Sequence, residues 1–205
     1  KPLAPIHYYA RLAQRLINAI IAPTGEGKLF EVDMRLRPSG NSGPIASSLD
    51  SLRRYQLESA WTWEHMALTR ARFIAGEPAL ARRFESDLRA ILTRPRDPEK
   101  LVTDIADMRR RMAQQYPGES FWDLKYRRGG LVDVEFIAQY LQLRHAHEHP
   151  EVLSANTADA LARLVGAGVL PGNVGEELQS AIGLWHRLFG MLRLTIGQKF
   201  DEASL

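Results

Sequence analysis

The sequence contains no cysteine, and only five of its 27 basic residues are lysines. Without cysteine, neither a disulfide framework nor a thiolate zinc site can form. The sequence also lacks the run of about 20 apolar residues that a spanning helix requires, and the layout of a signal peptide. We therefore expect a cytoplasmic protein with no membrane partner. Because the chain begins at Lys1 rather than at Met, we expect a fragment of a longer protein.

The composition is that of an ordinary globular protein. Of the 205 residues, 45% are hydrophobic and 25% charged, which suffices for one large domain or two small ones. Arginine supplies most of the positive charge, and guanidinium groups suit phosphates and carboxylates. This bias is compatible with an anionic substrate, although a preference of the solvent-exposed surface for arginine is the simpler explanation.

The first 47 residues predict one helix and one strand. Apolar residues recur at three- and four-residue spacings from Ile6 to Ile21, which indicates an amphipathic helix that Pro23 and Gly25 end. Residues 29–37 then alternate strictly between apolar and polar, which predicts a strand. Its apolar face would pack on a core and consists of Phe30, Val32, Met34 and Leu36. Its polar face carries Glu31, Asp33, Arg35 and Arg37.

Beyond a glycine-rich loop at 38–44 the patterns are helical, so we place a domain boundary near Ser47, between domains 1–47 and 48–205. The predicted helices, of which Ser48 caps the first, are 49–75, 78–93, 98–116, 131–147, 157–166 and 174–196. The fold class is therefore mainly α, with a helical bundle. Its predicted core includes Met108, Met112, Ile137, Tyr140, Leu141, Leu161, Leu164, Leu178, Ile182, Trp185, Leu188 and Leu192.

The polar face of the predicted strand is the first candidate site. Asp33 stands two residues from Glu31 and from Arg35, so carboxylates and a guanidinium would project together. Mg²⁺ prefers one or two carboxylates together with phosphate oxygens, and arginine stabilises charge on a transferred phosphoryl group. A solvated edge with surface ion pairs explains the same residues equally well.

Three segments resemble the glutamine synthetase adenylyltransferase family. They are EVDMRLRPSGNSGP at 31–44, AWTWEHMALTRAR at 60–72 and DLKYRRGGLVDVEFIAQY at 123–140. The resemblance implies that residues 1–47 are the remnant, a helix plus a strand, of a DNA polymerase β-like nucleotidyltransferase domain. It further implies partners, namely glutamine synthetase and the signalling protein PII, with no nucleic acid. The sequence WTWEH at 61–65 resembles the corresponding sequence in the half of such enzymes that attaches AMP, rather than in the half that removes it.

In this family, Asp33 would be the third of three catalytic carboxylates. The resemblance implies that Asp33 binds Mg²⁺, with Glu31 as a second ligand, and that Arg35 and Arg37 contact the phosphates of ATP. A tyrosine hydroxyl would attack the α-phosphorus in line. However, no Gly-Ser followed by Asp-x-Asp precedes Asp33, so the metal pair of the family is missing. We therefore predict that this chain alone does not adenylylate.

Other candidate residues lie in the helical part. Lys125 and Asp133 could reach phosphate in the active-site cleft, or the acids Asp133 and Glu135 could simply favour the start of a helix. Trp61 and Trp63 could brace the helical domain or form a partner surface. Three histidines precede Pro150 at a predicted helix end, where we expect imidazolium to complement the helix dipole rather than to bind metal; they are His145, His147 and His149.

Two other functions remain open at this point. The helical part could chiefly be a binding module for glutamine synthetase or PII. The chain could also belong to the AMP-removing half or to the related uridylyltransferases that modify PII, although the WTWEH wording argues against both.

Overall fold

A computed structural model describes residues 3–25, 27–28, 31–117 and 122–195. The described residues are mainly helical, as the sequence predicts, and the chain divides into two compact units, Lys1–Glu64 and His65–Leu205. The division falls within one helix. The domain boundary expected near Ser47, where the sequence pattern becomes helical, stays a prediction.

The unit Lys1–Glu64 begins with helix α1, Pro5–Ile20, which confirms the first predicted helix. Two strands of two residues each, β1 (Pro23–Thr24) and β2 (Gly27–Lys28), form a small antiparallel hairpin. A 3₁₀ turn at Gly40–Ser42 precedes helix α2, Leu49–Glu58.

The strand predicted over residues 29–37 is wrong for its described part, 31–37, where the backbone is irregular and turns at Arg35. Leu36, expected against a core, has an exposed side chain. A strand persists only when a neighbouring strand takes up its backbone N–H and C=O groups, and within the described residues β1 and β2 pair only with each other. The Asp33 carboxylate instead accepts the Arg35 backbone N–H at 2.9 Å, which favours a local turn. Phe30 and Leu29 lie outside the described residues.

The single helix predicted over 49–75 is two helices, α2 and α3 (Thr62–Leu68). Ser48 caps α2 as predicted, by accepting the Ser51 N–H. The break depends on Glu64, whose carboxylate reaches back to the Trp61 N–H at 2.9 Å and also accepts the Tyr55 hydroxyl at 2.9 Å. Glu64 thus fills the third-residue position of a capping box and starts a new helix where periodicity alone predicts continuity.

The unit His65–Leu205 contains the remaining helices. They are α4 (Pro78–Leu92), α5 (Pro98–Gln115), α6 (Leu131–His145), α7 (Thr157–Gly166) and α8 (Gly172–Thr195). All five confirm the predicted helices, with ends that differ by at most two residues where described. Proline stands in the first turn of α4 and α5, and Asp97 and Asn156 cap α5 and α7 with their side chains.

Two buried clusters hold this unit together, and α6 contributes to both. One joins α6, α7 and α8 through residues such as Leu161, Leu164 and Ile182, as predicted. The other joins Met66, Leu92, Leu101, Ile105 and Leu143. The core prediction is wrong for Ile137, which is 40% exposed. None of the described helices combines the length and the apolar character that a bilayer crossing needs.

Candidate functional site

Asp33 and Arg35 form a two-pronged ion pair in the first unit. The Arg35 Nε and Nη2 atoms donate to the Asp33 carboxylate at 2.9 and 2.6 Å. The hydrogen bonds from the Arg35 side chain, and then from its backbone N–H, lower the pKa of Asp33. Both side chains are more than half exposed, so water screens the pair and it contributes little to stability. The result is an accessible, ionised carboxylate with a guanidinium beside it.

The Arg37 guanidinium donates hydrogen bonds to backbone carbonyls of its own loop. Its Nη1 donates to the Met34 carbonyl at 2.5 Å and its Nε to the Gly43 carbonyl at 3.3 Å, so it closes the loop that follows. A Cβ on Gly43 would lie 2.0 Å from the Pro38 carbonyl oxygen, which explains the need for glycine there. These contacts show that Arg37 stabilises the loop. Its predicted binding to phosphate stays a prediction.

The described residues contain no group of three His, Asp or Glu side chains that could hold a metal ion. Asp33 is ionised and accessible, and Glu31 is exposed two residues away. One or two such carboxylates suit Mg²⁺ when substrate phosphates supply further ligands. These residues therefore fit as contributors to a magnesium site and do not form one by themselves.

The segment around Asp133, in the second unit, is organised by an arginine that sequence reasoning missed. Arg109 of α5 donates from Nε to the Asp133 carboxylate and from Nη2 to the Tyr126 carbonyl at 2.8 Å. The other Asp133 oxygen accepts the Gly129 N–H at 2.6 Å. Arg109 stands in a run of three arginines, 109–111, which is typical of a solvated face, so no sequence signal separates it from its neighbours.

Two glycines let the loop before α6 turn this tightly. Gly129 has φ +76°, a left-handed conformation that favours glycine, and a Cβ on Gly130 would lie 2.5 Å from the Leu124 carbonyl oxygen. The Leu124 carbonyl accepts the Leu131 N–H at 3.0 Å. The loop is thereby folded back on the start of α6, with Asp133 in the first helical turn, as the capping interpretation predicts.

Lys125 lies on an aromatic stack. Its Nζ is 4.9 Å from the centre of the Tyr126 ring, and that ring stacks on Tyr116 with centroids 4.3 Å apart. A cation over an aromatic face is attracted by the ring quadrupole. The ammonium group is therefore fixed near the loop, and its predicted contact with phosphate stays a prediction.

Glu135 joins two of the segments that carry the family resemblance. Its carboxylate accepts a hydrogen bond from Arg70 Nη1 at 2.5 Å, across 65 residues of sequence. Only 16% of the Glu135 side chain is exposed, so this pair is less screened than the Asp33–Arg35 pair. Glu135 thus connects the segment after α3 to α6.

The histidines before Pro150 do not converge. His149 contacts Glu151 at 3.1 Å, and His147 contacts Glu148 at 3.4 Å. Burial, and then the Arg144 charge, lower the pKa of His145, so the imidazolium form expected at the helix end is disfavoured there. Of the two tryptophans, Trp61 is 71% exposed and Trp63 is 41% exposed, so neither is a core residue of the described chain.

Comparison with known proteins gives matches over the whole chain. Residues 1–87 match the family model for glutamate-ammonia ligase adenylyltransferase, and residues 100–202 match the model for GlnD PII-uridylyltransferase. A bifunctional glutamine synthetase adenylyltransferase/adenylyl-removing enzyme from Bradyrhizobium diazoefficiens is 49% identical over 204 residues, which is 100% of the chain. Proteins of the same description from Rhodopseudomonas palustris and Xanthobacter autotrophicus are 50% and 47% identical over 95% and 96% of the chain.

The chain spans about a fifth of the length of these relatives, with 20% of each protein covered. The relatives align across residues 100–202 as well as 1–87, so the segment that matches the uridylyltransferase model also occurs in proteins described as adenylyltransferases.

Proposed function

Because the chain belongs to the family of bifunctional glutamine synthetase adenylyltransferase/adenylyl-removing enzymes, we propose that it is part of an enzyme that transfers AMP from ATP to a tyrosine of glutamine synthetase. The observation that carries the proposal is the 49% identity along the entire chain. The transfer is proposed for the whole enzyme, since the chain spans about a fifth of the length of its relative from Bradyrhizobium diazoefficiens.

Asp33 is the residue we assign to the chemistry. The tyrosine oxygen forms a bond to the α-phosphorus while the bond to the β-phosphate oxygen breaks and pyrophosphate leaves. Asp33, which its arginine partner keeps ionised, receives the hydroxyl proton. When substrate binds, Arg35 exchanges its forked contact with Asp33 for a forked contact with the phosphate oxygens. When Mg²⁺ is bound, with Asp33 and Glu31 as protein ligands, it neutralises charge on the phosphates.

The wording of residues 61–65 supports assignment to the half that attaches AMP. In the whole enzyme we expect Asp33→Asn to lower AMP transfer by at least about a hundredfold, as for loss of a general base. Arg35→Gln is expected to lower turnover as well. The matched controls Asp107→Asn and Arg54→Gln make the same charge changes at a half-buried and an exposed helical position, neither of which is assigned to the chemistry, and should leave transfer unchanged. Phosphorolytic removal of AMP, measured in parallel, assigns the half: its loss with transfer intact would contradict the proposal.

The 205-residue chain alone should not transfer AMP, because Asp33 has no accompanying Asp-x-Asp pair in the sequence. Incubating it with Mg²⁺, labelled ATP and glutamine synthetase tests this, since any labelled synthetase would refute it. Calorimetry with Mg-ATP sharpens the test, because tight binding by this chain would place a nucleotide site in its helices instead.

A second candidate is a binding module for glutamine synthetase or PII. It is favoured by the match of residues 100–202 to a model described as a PII-uridylyltransferase. Under this proposal the chain retains affinity for one of these proteins without any transfer activity. Titration of purified glutamine synthetase and PII into the chain tests it, and no binding of either would refute it.

A further inference from the structure

An open cavity of about 550 Å³ lies within the second unit, and none of its lining residues is among those assigned above. One side is α4, and the others are segments 69–71 and 153–155. Its volume is within the range of small-molecule sites, which is about 300–1,000 Å³. A molecule with the size of a metabolite fits this space.

Two arginines of α4 face this cavity, Arg82 and Arg89. They are seven residues apart and so lie on one side of the helix, about 10 Å apart along its axis. Neither guanidinium has a hydrogen bond or an ion pair with any described residue. Nearby arginines differ: Arg83 approaches Asp87 at 4.0 Å, and Arg96 donates to the Ile91 and Leu92 carbonyls.

The cavity lining also includes leucines of α4 and the segment 153–155, which hydrogen bonds hold in place. Leu92 is 2% exposed, and Leu88 and Leu153 are half-buried beside it. The Leu153 carbonyl accepts a hydrogen bond from Arg163 at 2.7 Å, and the Ser154 N–H donates to Gln142 of α6 at 2.8 Å. A wall held in this way needs little reordering when a ligand binds.

Glu85 also lines the cavity, between the two arginines on α4. The Glu85 carboxylate has no hydrogen bond or ion pair with a described residue, and its negative charge would repel an anion. A backbone hydrogen bond and then His149 lower the pKa of Glu151, which is outside the cavity lining, and the Arg89 charge adds a smaller effect.

We propose that this cavity binds a small organic anion, with a carboxylate or phosphoryl group held by Arg82 and Arg89 and an apolar part on Leu92 and Leu153. Guanidinium groups bind both kinds of oxyanion in the same forked geometry. This site is independent of the proposed transfer reaction, because it uses none of the residues assigned to it.

Calorimetry on the 205-residue chain tests the proposal, with citrate as the carboxylate probe and pyrophosphate as the phosphoryl probe. We expect one of the two to bind saturably at one site, and the probe that binds identifies the oxyanion class. Arg82→Gln and Arg89→Gln should each weaken binding about tenfold, as for loss of a charged hydrogen bond. Glu85→Gln should strengthen binding, because it removes the opposing charge.

Two controls separate this site from general charge effects. Arg111→Gln makes the same charge change on an exposed face of α5, and Arg35→Gln removes the arginine assigned to the transfer site; neither should change the affinity. Urea melts establish that each variant is folded. Saturable binding of neither probe, equal losses in Arg111→Gln and Arg82→Gln, or weaker binding in Glu85→Gln would overturn the proposal.

Discussion

Helices α1 and α6 differ in burial, and the difference is the reverse of what their apolar patterns suggest. In α1 the apolar residues gather on one face, yet none of its residues is buried. In α6 the apolar residues surround the helix, and seven of its 15 residues are buried. Periodicity therefore predicts that a helix forms and which face is apolar, whereas the neighbouring elements decide whether that face is covered.

The same difference separates the two units. Within the described residues, every buried aliphatic core residue is Met66 or a later residue. The buried polar residues of the first unit are Gln56 and Glu64. The first unit thus depends on hydrogen bonds and turns, while the second depends on apolar packing, and substitutions in the two should have different costs.

Truncating core leucine should give the largest effect. Leu161 of α7 is completely buried, so Leu161→Ala removes apolar contacts and leaves a cavity, at a cost of about 3 kcal/mol in the free energy of unfolding. Leu12→Ala makes the same chemical change on α1, where Leu12 is 50% exposed, and should cost less than about 0.5 kcal/mol. Urea unfolding followed by circular dichroism measures both. Equal losses would show that α1 is buried in solution.

The Arg109–Asp133 pair should give the next largest effect. Both side chains are less than a quarter exposed, so removing one partner leaves the other poorly solvated. We expect Arg109→Met and Asp133→Asn each to cost about 2 kcal/mol, with the double variant costing clearly less than their sum. Additive losses in this double-mutant cycle would show that the two residues act independently. Arg110→Met on the exposed face of α5 is the matched control.

The comparison of the two units also shows how much of the structure the sequence could predict. The helices α4, α5 and α7 were predictable because each has strong periodicity and a cap or proline at its start. The strand at 31–37 was not, because a strand requires pairing that its own residues do not specify. Asp33 and Arg35 were predicted as neighbours, and they are neighbours through a turn. Arg109 was not predictable, because its partners are 17 to 24 residues away in sequence.

Replacing Glu64 tests whether buried hydrogen bonds stabilise the first unit. It is 6% exposed and accepts bonds from the Tyr55 hydroxyl and the Trp61 N–H. Glu64→Ala leaves both donors without their acceptor, so we expect a loss of about 1 kcal/mol in the free energy of unfolding. Glu58→Ala, at the exposed end of α2, should have almost no effect. If the two variants are equally stable, the corner between α2 and α3 does not depend on Glu64.

The smallest effect should be a pH dependence at the end of α6, where burial reaches His145. Burial, and next the Arg144 charge, lower the pKa of His145 below its ordinary value of 6.5, while Glu148 acts in the opposite direction. As the pH falls below 6.5, the unfolded chain takes up a proton that the folded chain resists, so stability is lost toward acid and retained above that pH.

The variant His145→Gln removes this contribution to the pH dependence of stability. The wild-type chain should therefore lose more stability than His145→Gln between about pH 8 and pH 5, whereas His147→Gln removes only the smallest cause of the shift and should lose nearly as much as the wild type. Urea melts at the two pH values measure the difference, and a smaller loss in the wild type would mean that the imidazolium is stabilised at the helix end after all.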